Sequence, residues 1–426
     1  MAAVGSAVGP GNMWRFPYQT ADGGGAAFVL LYLGMTFLIG IPIMVAEFGV
    51  GRTTRLSSIG ALRSTGGRGW VPVGYLYVLT SLLIVSYLSV IAGWTTRYAL
   101  DGMLHGFSSE AGARFAEVST GPTAVAFHLL VMALTIGIVV LGIKRGIERI
   151  CLVLMPILFL ILISLAVWAS TLDGAGPGYA FYLTPSISAL KDPTVLQGAA
   201  SQAFFSLSVG MGIMITYGSY ISKHENLSRA ALIVSLSDFS IAFVAGLVVF
   251  PVIFALGLSG QVTESTLGTL FISLPGAFFE MGAVGRMVGV GFFVALLVAS
   301  ITSMVSLLEV AAAAAIDEFG LQRKTAALVA GALAAVLGVV SATTNGALGV
   351  FDQVAGDFFV VVGVLAMSLL VGWRMNEPVK EIATGATEFT ARLVPGAVFL
   401  VRYVIPPLLA ILAVVALRDT VRSFFG

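Results

Sequence analysis

Long apolar runs without a charge decide what this chain can become. Two of them, LLIVSYLSVIAGW (82–94) and ILFLILISLAVW (157–168), sit inside still longer uncharged stretches. Each stretch reaches the roughly 20 residues an α-helix needs to cross a hydrocarbon core about 30 Å thick. The runs are continuous rather than alternating, so they do not fit the strands of a membrane β-barrel. Only 10% of the 426 residues are charged and 58% are hydrophobic, whereas a soluble domain is about a quarter charged. The pattern predicts an all-α polytopic membrane protein whose outer solvent is membrane lipid.

The same composition excludes several function classes. A net charge of +1 gives no electrostatic basis for binding nucleic acid. The single cysteine, Cys151, leaves no partner for an internal disulfide, and His105, His128 and His224 lack the spacing of a paired-histidine metal motif. No cleavable leader is expected, because the first residues lack a basic region and a processing site.

Apolar length predicts eleven spans in one transmembrane domain covering 1–426. They fall near 1–19, 26–51, 71–100, 122–142, 147–171, 194–220, 228–257, 286–318, 325–343, 350–373 and 395–417. The stretch 268–281 is apolar but short and interrupted by Pro275, which suits a re-entrant hairpin or a lid. Basic residues gather in alternate connections. Arg52, Arg55, Arg63 and Arg68 follow the second span, and Lys144, Arg145 and Arg149 follow the fourth. Lys223 and Arg229, Arg323 and Lys324, then Arg374, Lys380 and Arg392 continue the series, while Asp101, Glu110 and Asp173 mark the opposite side. The positive-inside rule then places the N-terminus in the cytoplasm and the C-terminus outside the plasma membrane.

Two spans carry helix breakers where a membrane helix should be smooth. GSAVGPGNMWRFP (5–17) holds three glycines and two prolines, and SQAFFSLSVGMGIMITYGSY (201–220) holds Gly210 and Gly212 in mid-membrane. Spans 1–5 (residues 1–171) and 6–10 (194–373) then read as two repeats, with 395–417 an extra C-terminal helix. Five spans per repeat force the halves into opposite topology, and both breaks fall at the first helix of a half. Paired breaks in inverted repeats point to a transporter's central site. Freed carbonyls suit a hard cation such as Na⁺, and freed amides at a half-helix start suit a carboxylate. Glycines that only permit close helix packing are the plainer alternative.

Four motifs in this order, GNMWRFPY followed by GGG, GIPIMVAEFGVGR, QAFFSLSVGMG and ALLVASITSMVSLLEV, resemble the neurotransmitter:sodium symporter family over nearly the whole chain. The resemblance implies a leucine-transporter-like carrier that couples inward Na⁺ movement to uptake of an amino acid or amine, with two sodium ions. One sodium site would use the carbonyls of Gly5, Val8 and Ala299 with the hydroxyls of Thr302 and Ser303. The other would use the Ala7 carbonyl, Asn12, Ser206 and Asp238. Asp238 stands where many animal members carry asparagine, and Ala242 where they carry a chloride-holding serine. A covalently supplied anion beside the cation makes Na⁺-dependent, chloride-independent transport the expectation.

The resemblance also implies a solute pocket. Gly9 stands where monoamine carriers have an aspartate, which favours a solute that brings its own carboxylate. Its amine would meet the carbonyls of Ala7, Phe205 and Ser206 and the Ser208 hydroxyl. Its side chain would meet Ile84, Ile91, Met211, Met304 and Leu307, beside Ser303. Two departures bear on the carboxylate. Pro10 has no N–H, and Leu88 replaces a tyrosine, with Tyr87 on another helix face. That leaves the Gly11 amide and the ion. A neutral hydrophobic amino acid is the expected solute, and a non-standard amine or amino-acid-like solute is the alternative. The outer gate resembles an Arg15–Asp352 pair over Phe205, with Gln202 nearby. Asp317 matches the cytoplasmic acid of the family, but its usual partners before the first span are missing, so a start farther upstream is expected.

Other classes fit less well. No ring-forming filter motif favours a channel, and no nucleophile–base or metal set favours an enzyme. A non-transporting solute sensor on the same fold, or an inactive homologue, is the remaining alternative. The sequence gives no oligomeric state.

Overall fold

The computed structural model describes residues 2–257, 266–344 and 346–425. Among the described residues, nine continuous helices are long and apolar enough to cross a membrane. They are Ala26–Thr54, Arg68–Leu104, Gly121–Val140, Ile143–Ala169, Leu227–Ala255, Gly282–Phe319, Arg323–Thr343, Ala347–Trp373 and Glu388–Arg418. Two further crossings come in pieces. The first comprises Ala2–Ala7, Pro10–Met13 and Arg15–Asp22, and the other comprises Pro193–Ser206 and Ile213–Tyr220. Counted in chain order as spans 1 to 11, the broken ones are spans 1 and 6. The last span starts at Glu388 rather than 395, because the Thr387 side chain caps it by accepting from the Thr390 amide.

Among the nine continuous spans, spans 3 and 8, of 37 and 38 residues, are the most deeply buried. At 1.5 Å per residue each is about 55 Å long, so it must tilt or project beyond the hydrocarbon. Span 5 instead turns most of its apolar surface outward, with Leu152, Val153, Leu160 and Val167 exposed. Such a distribution belongs to a bundle solvated by lipid, where hydrophobic side chains need not hide. The segment expected as a hairpin or lid forms a short helix, Thr269–Glu280. It is pinned to span 3, where the Tyr98 hydroxyl donates to the Phe271 carbonyl at 2.7 Å and Trp94 meets the Phe271 ring edge-on.

The second break is written in backbone geometry. Ser208, Gly210 and Gly212 have φ of 55°, 78° and 80°, the left-handed region that glycine enters without strain. Gly210 also lies against span 10 so closely that a Cβ at Gly363 would stand 2.1 Å from its carbonyl oxygen. The chain leaves the helix here, and the amide it frees is taken up inside the protein. The Gly210 N–H donates to Oε1 of the fully buried Glu47 on span 2 at 2.7 Å.

Candidate functional site

The first break has its own accounting. The Val8 amide makes the last bond of the first piece, to the Val4 carbonyl at 2.8 Å. The chain then bends at Gly9, whose amide donates to Asn12 Oδ1 at 2.9 Å. Carbonyls that the bend turns out of the helix meet span 8. Thr302 Oγ1 lies 2.9 Å from the Ala299 carbonyl, 3.2 Å from that of Val298 and 3.4 Å from that of Val8. Ser303 Oγ donates instead to the Ser6 carbonyl at 3.1 Å, one residue away from the oxygen cluster it was expected to join. Gly5 lets the helices approach, since a Cβ there would stand 2.3 Å from Cys151 Sγ and 3.8 Å from Thr302 Cβ. Thr302 therefore bonds within its own helix and also reaches across to the break.

A second cluster forms around Asp238 on span 7, which is fully buried. Its Oδ1 accepts from Asn12 Nδ2 and from Ser206 Oγ at 2.7 Å each. Asn12 Nδ2 also approaches the Asp238 carbonyl at 3.0 Å and Ser206 Oγ at 3.3 Å. Asp238 Oδ2 accepts from the Tyr32 hydroxyl at 2.6 Å. The break in span 1, the end of the first piece of span 6, and spans 2 and 7 thus converge on one carboxylate. Tyr32 and Glu47 went unnoticed in the sequence, although Glu47 lies inside a quoted motif. A buried carboxylate in a membrane span is the signal that could have flagged Glu47.

Between the breaks lies a narrow hollow of about 30 Å³. Eleven of the fourteen residues expected around the solute line it: Ala7, Gly9, Gly11, Ile84, Leu88, Phe205, Ser206, Ser208, Met211, Ser303 and Leu307, joined by Ser6, Pro10 and Ile213. The other three go elsewhere. Ile91 and Met304 are fully buried in the apolar core. Tyr87 turns to span 10, where its hydroxyl donates to Asp352 Oδ1 at 2.8 Å. Consecutive residues on a helix face different ways, so Leu88 can border the hollow while Tyr87 does not.

The expected gate pair is corrected. Arg15 forms its ion pair with Asp357, and Asp352 is held by Tyr87. Span 10 is π-helical over Asp352–Phe359, and i→i+5 spacing brings residues 352 and 357 onto nearly the same face. The Arg15 guanidinium sits 4.7 Å above the Phe205 ring, and that ring borders the hollow. Gln202 Nε2 donates to the Gly11 carbonyl at 3.3 Å. Beyond the pair opens a vestibule of about 360 Å³, lined by Arg15, Gln353, Asp357 and Arg418 among others. At the opposite end Asp317 Oδ2 accepts from the Ser57 amide at 2.6 Å, at the start of the short helix Ser58–Gly66. The pair that ties this helix to span 8 is Arg63–Glu318, at 2.7 and 2.8 Å.

The model of the sodium:neurotransmitter symporter family matches residues 1–111 and 117–420. An uncharacterized sodium-dependent transporter of Bacillus subtilis, YhdH, is 34% identical over 425 residues, 95% of this chain and 93% of that protein. A sodium-dependent nutrient amino acid transporter of Drosophila erecta is 28% identical over 447 residues, 87% of this chain and 69% of that protein. Among solved structures, the crystal structure of MhsT in complex with L-phenylalanine superposes with a TM-score of 0.87 at 38% identity, covering 97% of each chain.

Proposed function

This chain belongs to the sodium:neurotransmitter symporter family, and we propose that it takes up a neutral hydrophobic amino acid by sodium-coupled alternating access. The observation that carries this reading is that both helix breaks border one hollow, each beside a cluster of oxygens. The relatives named for amino acid transport and the phenylalanine-bound structural neighbour support the solute class.

In this reading one ion rests among the Val8 and Ala299 carbonyls and the Thr302 hydroxyl, with Gly5 and Ser303 completing the cage. A second rests between Ala7, Asn12, Ser206 and Asp238. Asp238 supplies the fixed negative charge, the Tyr32 hydroxyl is committed to it, and Ala242 has no hydroxyl to offer. Transport is therefore independent of chloride.

Arg15, Asp357 and Phe205 form the outer barrier, facing away from the cytoplasm by the positive-inside rule. The repeats 1–171 and 194–373 rock about the hollow to open it to one side and then the other. The test is uptake of labelled L-phenylalanine into proteoliposomes under an inward Na⁺ gradient. Replacing Na⁺ with K⁺ abolishes accumulation, and replacing chloride with gluconate leaves it intact. Equal accumulation with and without Na⁺ refutes the proposal.

A further inference from the structure

Arg402 is a cation inside a membrane span with no acid to meet. It lies in span 11, on the π-helical stretch Leu400–Val404. Spans 10 and 11 touch there, since a Cβ at Gly372 would stand 3.0 Å from the Arg402 Cα. Its Nε is buried without a hydrogen-bond acceptor, and among the described residues its guanidinium enters no ion pair. The acids of the neighbouring connection are engaged elsewhere. Glu377 pairs with Lys380, Glu388 pairs with Arg392, and Glu381 accepts from Thr53 Oγ1 at 3.4 Å. Arg374, directly after Trp373, is exposed and adds a second positive charge to this end of span 10.

What the guanidinium does touch is aromatic. It stands 5.2 Å from the Trp373 ring and 5.8 Å from the Tyr403 ring, within range of a cation–π contact. Those two rings meet edge-on at 5.8 Å, and Phe399 extends the group at 5.3 Å from Tyr403. Trp373, Tyr403 and Phe399 are 58%, 51% and 57% exposed. Exposed Trp and Tyr at a span end mark the level of the lipid headgroups, and Trp373 is the last residue of span 10. A ring satisfies the flat face of a guanidinium but not its five N–H donors, which point along its plane. Hydrocarbon cannot receive them, whereas a phosphate receives two at a time.

We propose that Arg402 anchors a site for an anionic phospholipid where spans 10 and 11 meet. The headgroup phosphate lies in the plane of the guanidinium, and the acyl chains lie over Phe399 and the Trp373–Tyr403 pair. The unbalanced charge of Arg402 and Arg374 selects the lipid. Phosphatidylglycerol brings a net negative charge, while phosphatidylcholine offsets its phosphate with its own ammonium. The site is separate from the hollow and the vestibule, and a lipid seated there bridges the two helices.

Trp373 is the reporter that tests this. The full chain is reconstituted in phosphatidylcholine vesicles with rising fractions of dibrominated phosphatidylglycerol, whose bromines quench tryptophan on contact. Subtracting the Trp373→Phe variant isolates the signal of Trp373, and dibrominated phosphatidylcholine gives the reference. Phosphatidylglycerol is expected to be preferred at this position by about fivefold, the scale of one basic residue at an anionic headgroup. Arg402→Gln brings the two lipids to parity, and Arg402→Lys, which keeps the charge and loses the fork, retains part of the preference. Equal quenching by the two lipids in the wild type overturns the proposal and needs no variant to fold. So does a preference that survives Arg402→Gln, or a Trp373 that neither lipid quenches because a second copy of the chain covers it. Loss of the preference in millimolar inorganic phosphate overturns it too, since the site would then be one for a free anion.

Discussion

The Tyr32 hydroxyl donates to Asp238 Oδ2 at 2.6 Å, on the side of the carboxylate opposite to Asn12 and Ser206. The phenol fixes the acid's orientation and occupies the group that could otherwise greet an external anion. Asp238→Asn removes the charge that balances a buried cation and is expected to raise the Na⁺ half-saturation of uptake at least tenfold. Tyr32→Phe removes one hydrogen bond to a charged group, worth about 1.5–3 kcal/mol, and keeps the charge, so its loss is smaller. An Asp238→Asn carrier with the wild-type Na⁺ curve would take Asp238 out of the ion site.

Glu47 supports the second break through the Gly210 amide. Glu47→Gln keeps an acceptor of the same reach and is expected to be neutral or stabilising, because an uncharged amide is easier to bury than a carboxylate. Glu47→Leu leaves the amide unpaired in the interior, at a cost of about 1–3 kcal/mol. Thermal midpoints of the two purified variants check this. Equal midpoints would mean that the amide finds another acceptor.

The ion pair at the vestibule floor predicts an asymmetry between two acids of one helix. Arg15 is nearly buried, whereas the Asp357 side chain keeps 40% of its exposure. Its contribution is therefore set below that of a fully buried pair. Asp357→Asn is expected to speed solute release on the order of tenfold, and Asp352→Asn to do less, since its direct partner is Tyr87. Dissociation of pre-bound labelled solute measures both. The reverse order would restore Asp352 as the partner of Arg15.

The nine continuous spans were legible because lipid leaves a helix little choice: apolar length alone marks each of them. Both broken helices were legible too, from Gly9 and Pro10 in one and Gly210 and Gly212 in the other. The gate was not, because hydropathy carries no trace of the π-helical stretch that brings Asp357 under Arg15. Tyr32 looked like one more aromatic in an apolar run, and its role follows from a carboxylate 206 positions away. Asp317 was read from motif position, while its bond to the Ser57 amide depends on where a short connecting helix docks.

The central claim is that the bend in span 1 and the facing turn of span 8 grip sodium. A Na⁺ titration of the thermal midpoint, run on the wild type and on Thr302→Val with K⁺ as the control salt, tests it most directly. A bound ion stabilises by RT ln(1 + [Na⁺]/Kd), about 2.7 kcal/mol at a hundred times Kd. Na⁺ should raise the wild-type midpoint where K⁺ does not, and Thr302→Val should move the Na⁺ curve to concentrations roughly tenfold higher, one lost oxygen ligand's worth. Identical responses to Na⁺ and K⁺, or a Thr302→Val curve lying on the wild type, would contradict the account.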